Sequence, residues 1–256
     1  MMRRLGLAAF GLVLVGLAGA GSRSADQPPP AYPMRTYVCH RAAGPITVDG
    51  LPYEEGWRSA RWSDSFGDMF FPDRPVALQT RVEAAWDDQA LYVALRARDD
   101  APWATLRQRD AALFTEEVLE VYLDENNDQR NYLEFEVNPL GAEIDLLIPY
   151  AGAQADWQKC ALWNAPGWKT AVHIEPPLTV GDRTLPGSWT VEMAFPWAIF
   201  AEARHRPPHP DDVWRIQFYR IERPDRSRPN EFVGTAWSPT PTFHAPKYFG
   251  AIRFVM

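Results

Sequence analysis

Apolar and polar residues alternate with a period of two along most of this chain. Residues 114–138, FTEEVLEVYLDENNDQRNYLEFEVN, show it best: Leu119, Val121 and Leu123 fall on one face, Glu120, Tyr122 and Asp124 on the other. After a polar stretch Leu133, Phe135 and Val137 alternate with Tyr132, Glu134, Glu136 and Asn138. A period of two is the mark of extended strand, so the segment predicts a hairpin. RVEAAWDDQALYVALRARDD reads the same way, as strand, Asp-Asp turn, strand. Further strands are expected at GAEIDLLIPY, TAVHIE, SWTVEMAF, VWRIQFYRIE and YFGAIRFV, with proline-, arginine- and asparagine-rich loops between the late ones. Helix is scarce. YEEGWRSA and PWAIFAEA each predict one short turn, the second with Pro196 at a first position where a missing N–H does no harm. Many short strands with frequent turns predict an all-β fold, an antiparallel β-sandwich of jelly-roll or immunoglobulin-like type with one or two short helices.

The polar face of the hairpin raises a chemical question. If the apolar sets share a face, register parity places Glu120 opposite or diagonal to Glu134 and Glu136, and like charges across a ladder repel. Arginines are one answer: Arg81, Arg96 and Arg98 occupy the same parity of nearby strands, and a solvated ladder of mixed charge needs no function. A metal is another. Asp124, Asn126 and Asp128 alternate through the turn as hard oxygen ligands suited to structural calcium, although Gln129 and Phe135 stand where an EF-hand loop needs Gly and Glu, and Asp and Asn are ordinary turn residues. A ligand is the third. Sugars offer hydroxyls to carboxylates and C–H faces to rings, and the chain holds eleven Trp, thirteen Phe and nine Tyr. Most of these rings are expected in the core.

The N-terminus changes the picture of where the protein works. A basic start, the apolar run from Leu5 to Ala20 and the small residues Ala18-Gly19-Ala20 predict a signal peptide over residues 1–20. A proline-stiffened leader follows over 21–34, and a single domain over 35–256. The protein is therefore expected to be secreted or periplasmic, with no membrane span once the signal is removed. The formal charge of −7 becomes about −9 without Arg3 and Arg4, which argues against nucleic acid as a partner. Outside the cytoplasm the two cysteines, Cys39 and Cys160, are expected to form a disulfide.

Six stretches, in order, resemble the family 9 carbohydrate-binding modules: ITVDGLPYEEGW, WDDQALYVALRARDD, EEVLEVYLDENND, YLEFEVNPLG, GSWTVEMAFPW and WSPTPTFHAPKYFGAIRF. They cover nearly the whole domain. The resemblance implies a β-sandwich, often with bound calcium, that holds a saccharide, commonly a chain end, between two aromatic rings. Carried over position by position, the two rings become Phe114 and Phe243, where sugar-binding members have Trp. The family's Glu and Asn are kept as Glu120 and Asn138, Glu136 stands where such members have an arginine, and His244 adjoins the second ring. Trp103 and Trp157 are outside candidates for a wider platform; Trp189 and Trp237 are expected to pack in the core.

The expected function is non-catalytic binding of an oligo- or polysaccharide in support of polysaccharide use, with a separate catalytic or surface protein as partner. Three other readings are open, one of them a stand-alone interaction domain with no small ligand. A glycosidase needs two carboxylates about 5–9 Å apart, which Glu120, Glu134 and Glu136 could supply. A haem-binding or redox-partner sandwich would draw axial ligands from His40, His173, His244, Met69 and Met193.

Overall fold

The computed structural model describes residues 32–256 except 151, 181 and 229. The signal peptide expected over 1–20, and the leader up to residue 31, lie outside the described residues. Fourteen strands follow in chain order: β1 (Thr36–Arg41), β2 (Gly67–Asp68), β3 (Thr80–Trp86), β4 (Ala90–Arg98), β5 (Val118–Asp124), β6 (Tyr132–Val137), β7 (Glu143–Ile148), β8 (Lys169–Glu175), β9 (Leu178–Val180), β10 (Arg183–Leu185), β11 (Ser188–Pro196), β12 (Val213–Glu222), β13 (Val233–Ala236) and β14 (Gly250–Val255). One four-residue helix, α1 (Trp157–Cys160), and several single 3-10 turns complete the elements. The two helical turns expected from the sequence are 3-10, at Glu55–Ser59 and Trp197–Ile199.

Twelve strands form one continuous sheet in the order β7-β6-β5-β12-β14-β1-β3-β4-β11-β8, with β13 and β2 attached beside β12; β9 and β10 make a separate hairpin. The sheet curls until its halves face each other. Phe135 on β6 meets Phe195 on β11 with ring centroids 4.8 Å apart, and Phe200 meets Trp214 on β12 at 4.8 Å. Between the halves lies the main core, into which β5 and β6 send Leu119, Val121, Leu123, Leu133, Phe135 and Val137. Trp189 and Trp237 pack there as expected. Pairing is antiparallel throughout, except that β1 runs parallel to both β14 and β3.

A loop strapped to the outside of the second half explains the ITVDG…GW stretch. Glu192 on β11 accepts the backbone N–H groups of Asp49 at 2.9 Å and Gly50 at 2.7 Å, and the Trp57 indole N–H at 2.9 Å. Gly50 has φ +90°, and a Cβ there would lie 2.8 Å from the His173 nitrogen, so only glycine fits the turn.

The expected disulfide is not present. Cys39 and Cys160 are both free and buried. Cys39 belongs to the main core, whereas Cys160 sits in a layer outside the sheet, its thiol 3.6 Å from the Ala153 carbonyl. The sheet separates the two residues. Among the described residues, no helix is long and apolar enough to cross a membrane.

Candidate functional site

The site is built on the outer face of β5, β6 and β12. Register sets it out as a grid. Tyr219, Glu120, Glu136 and Ile144 form one row across β12, β5, β6 and β7; Gln217, Tyr122, Glu134 and Leu146 form the next. Glu120 thus stands directly opposite Glu136, with Glu134 diagonal to it.

This face is not solvated. Glu120 and Glu136 are each 1 % exposed and Glu134 is 2 % exposed. The arginines expected to pair with them are elsewhere: Arg96 bonds Glu175 and Ser188 in the opposite half of the sandwich. The reason lies in the tyrosines. Tyr122, Tyr132 and Tyr219 share the outward parity with the acids, as do Ile144, Leu146 and Ile221, so the face buries a second apolar cluster beneath its own cover. That cover consists of the 3-10 turn Leu113–Thr115, the segment around α1, and the loop before Pro246.

Burial dominates the electrostatics. It pushes the carboxyls of Glu120 and Glu136 well above the usual range, and repulsion adds to it: Glu134 acts on Glu120, and Glu120 and Glu134 act on Glu136. The Tyr122 hydroxyl donates to Glu134 at 2.9 Å. Oε2 of Glu120 and Oε2 of Glu136 have no hydrogen-bond partner, whereas Oε2 of Glu134 faces His244 Nδ1. Buried polar groups are paired in the great majority of cases, so two unpaired carboxylate oxygens in one row call for a physical account.

The two phenylalanines stand at opposite ends of the first row. Phe243 packs on Tyr219, ring centroids 4.9 Å apart. Phe114 sits at the other end, its backbone amide against the Glu136 carboxylate. Two ladder spacings put about 9–10 Å between the sheet positions they cover. Both rings are half-buried. Trp157 meets Phe114 edge to face at 5.5 Å, extending that wall. Arg223 steadies both sides: its Nη2 donates to the Phe114 carbonyl at 2.8 Å, and its guanidinium lies 5.3 Å from the Phe232 ring, which packs against Phe243. His244, at φ +52°, reaches over the floor. Its Nδ1 is 3.0 Å from the Tyr132 hydroxyl and 3.5 Å from Glu134.

Other candidates lie differently. Asn138 is fully buried and holds loops together: Nδ2 donates to the Leu106 carbonyl at 2.8 Å, and Oδ1 accepts from Leu140 and Ala142 at 3.0 Å each. Its oxygen is fully used there, so it offers a sugar no acceptor. Trp103 anchors a loop through Arg223. Of the haem-ligand candidates, Met193 is in the main core and Met69 in the outer cluster.

The calcium candidates form a turn. Asp124 accepts the backbone N–H groups of Asp128 at 3.2 Å and Gln129 at 2.9 Å; Asn126 accepts that of Asp128 at 3.0 Å and donates to Glu202 at 2.6 Å. These oxygens cap backbone amides within the turn. Among the described residues, one trio of acids brings its oxygens within 4.8 Å: Asp99, Glu117 and Glu222. Arg220 already fills that role, bonding Asp99 at 2.9 Å and also Glu222.

The sequence profile of the carbohydrate family 9 binding domain-like family matches residues 48–255. The chain belongs to that family. Its sandwich is also similar to solved family 9 modules. One from Caldicellulosiruptor kristjanssonii, in complex with glucose, superposes with TM-score 0.58 at 16 % identity over 85 % of this chain and 95 % of its own. The same organism's module with cellotriose gives TM-score 0.57 at 16 % identity, over 86 % and 94 %. A Bacteroides uniformis protein assigned to carbohydrate binding gives 0.63 at 14 % identity, over 87 % and 100 %. No curated protein matches the chain in sequence. For this family 9 chain, the hairpin face first picked out by its acids is therefore part of a carbohydrate-binding-type sandwich.

Proposed function

We propose that this chain is a secreted or periplasmic module that binds a saccharide without transforming it. The sugar ring enters between Phe114 and Phe243 and displaces His244 from its contacts with Tyr132 and Glu134. One observation carries the reading: two half-buried aromatic rings flank a buried floor on which Glu120 and Glu136 each leave one carboxylate oxygen without a partner. Sugar C–H faces stack on such rings, and sugar hydroxyls donate to such oxygens. Glucose and cellotriose, the ligands of two similar modules, set the size class. A module of this kind serves a separate catalytic or surface protein engaged in polysaccharide use.

Calorimetric titration with glucose and cellotriose tests the reading on the full chain. Phe114→Ala and Phe243→Ala should each weaken binding at least about tenfold while the thermal midpoint and near-UV spectrum hold. Normal binding by both variants would move the site elsewhere.

A further inference from the structure

The sheet opens beside β1. Ala251 donates to the Arg35 carbonyl at 2.8 Å, so Arg35, Tyr37 and Cys39 turn their backbone groups to β14, and Thr36, Val38 and His40 turn theirs the other way. On that side β3 meets only the end of β1, at His40 and Arg41. Earlier along β3 its edge is taken by another segment: Ser63 donates to the Val82 carbonyl at 2.8 Å, and Phe66 to the Thr80 carbonyl at 2.9 Å. The two neighbours of β3 therefore part, and a cleft of about 340 Å³ lies between β1 and residues 61–64. That size admits a short segment and no more. The Tyr37 hydroxyl donates to the Arg61 carbonyl at 2.7 Å and ties the two walls together.

The walls keep spare hydrogen-bonding groups. Among the described residues, no protein group bonds the cleft-side N–H and C=O of Thr36 and Val38, and Trp62 on the far wall makes no backbone hydrogen bond. An unpaired strand edge is a template for another strand. Thr36 and Val38 stand two residues apart, the repeat at which a strand presents its N–H and C=O to one side. A sugar ring carries no such repeat.

Charge sets the sign of the occupant. Arg35 and Arg61 line the cleft. Arg35 donates to the Ser65 carbonyl at 3.2 Å and Arg81 to the Ser65 hydroxyl at 3.4 Å, so two guanidiniums gather at one residue. None of these three arginines forms an ion pair among the described residues, although the chain carries a net charge of −7. Unpaired cations grouped in an acidic protein draw an anionic partner.

The geometry points to a strand-addition site: an extended acidic segment of a partner protein seats between β1 and residues 61–64. Its backbone pairs with Thr36 and Val38, and its carboxylates meet Arg35, Arg61 and Arg81. Val38 and Trp62 stand exposed on the two walls, so apolar residues between the acids complete the fit. The cleft shares no lining residue with the slot between Phe114 and Phe243.

The test titrates the full chain with the capped peptide Glu-Val-Glu-Val-Glu, its counterpart Lys-Val-Lys-Val-Lys, the acidic peptide N-methylated along its backbone, and galacturonate trimer. Hydrogen exchange is read at the Thr36 and Val38 amides. The acidic peptide should bind at least about tenfold more tightly than the lysine and N-methylated peptides, and should slow exchange at both amides about tenfold. Arg61 is exposed and makes no ion pair, so Arg61→Glu should keep the thermal midpoint and shrink the preference for acid over lysine to within about twofold. No binding of the acidic peptide, equal binding of the three peptides, or unchanged exchange at Thr36 and Val38 overturns the inference. Tighter binding of galacturonate trimer at the cleft overturns it too, in favour of an acidic glycan. Cellotriose titrated into the same samples reports on the saccharide slot separately, so either reading can fail alone.

Discussion

Glu120 and Glu136 face each other directly across the β5–β6 ladder, both shut away from water. Folding raises their proton affinity, so this pair is compatible with the fold when protonated and opposes it when ionised. Glu83, pushed up to about 8 by burial and then by Glu192, and Glu117, pushed up to about 9 by burial and then by Glu222, act in the same direction. The stability these groups contribute is complete below the unfolded carboxylate range, about pH 4.5, and is lost as pH rises towards 8–9. Chemical denaturation between pH 5 and 9 should show stability falling with pH. Glu120→Gln and Glu136→Gln should each flatten that slope and gain on the order of 1 kcal/mol at pH 8.

Trp157 backs Phe114 without reaching the acid floor by any ring or hydrogen-bond contact of its own. Trp157→Ala should therefore loosen one wall of the slot and leave the core intact. Saccharide affinity should fall about three- to tenfold, as expected for one lost aromatic pair, with an unchanged thermal midpoint. Titration calorimetry alongside a melting curve checks both parts.

Glu192 satisfies three N–H groups from the strap over residues 49–57. Glu192→Ala should leave all three without partners and cost on the order of 3 kcal/mol. Hydrogen exchange should then show the Asp49 and Gly50 amides opening first, while β5 and β6 stay protected.

The thiols of Cys39 and Cys160 are held apart by the sheet. Intact-mass measurement after maleimide treatment should show no label on the native protein and two labels after denaturation without reductant. Dithiothreitol should leave the thermal midpoint unchanged.

Asp124 closes its own turn through two backbone amides. A chelator such as EDTA should leave the melting temperature where it was, whereas Asp124→Ala should lower stability by about 1–2 kcal/mol through two orphaned amides.

Parity made much of this legible in the sequence. Alternation alone put Leu119, Val121, Phe135 and Val137 inside and set Glu120 opposite or diagonal to Glu134 and Glu136, because one face had to be buried and a one-residue slip would invert it. Exposure of the other face was misread for a specific reason. Tyr122, Tyr132 and Tyr219 counted as polar positions, yet each carries a large apolar body that wants cover. The signal was present in three outward tyrosines on adjacent strands, beside Ile144 and Leu146. β2, β9, β10 and β13 were missed because two to four residues hold too few alternations to register. Asn138 matched a binding position by type, but its oxygen caps the β6–β7 turn, a use that depends on loop geometry invisible to spacing. The cysteines followed the compartment rule, which says nothing about which side of a sheet each thiol lies on.

The parallel seating of β1 between β14 and β3 has a consequence for biosynthesis. Residues 36–40 align with 251–255, so the two halves of the sandwich are joined through a pairing that spans most of the polypeptide. Such long-range closure is slow and cannot begin until the last strand has left the ribosome. Until that moment the nascent chain exposes two half-made edges, and a holding chaperone would find its binding site there.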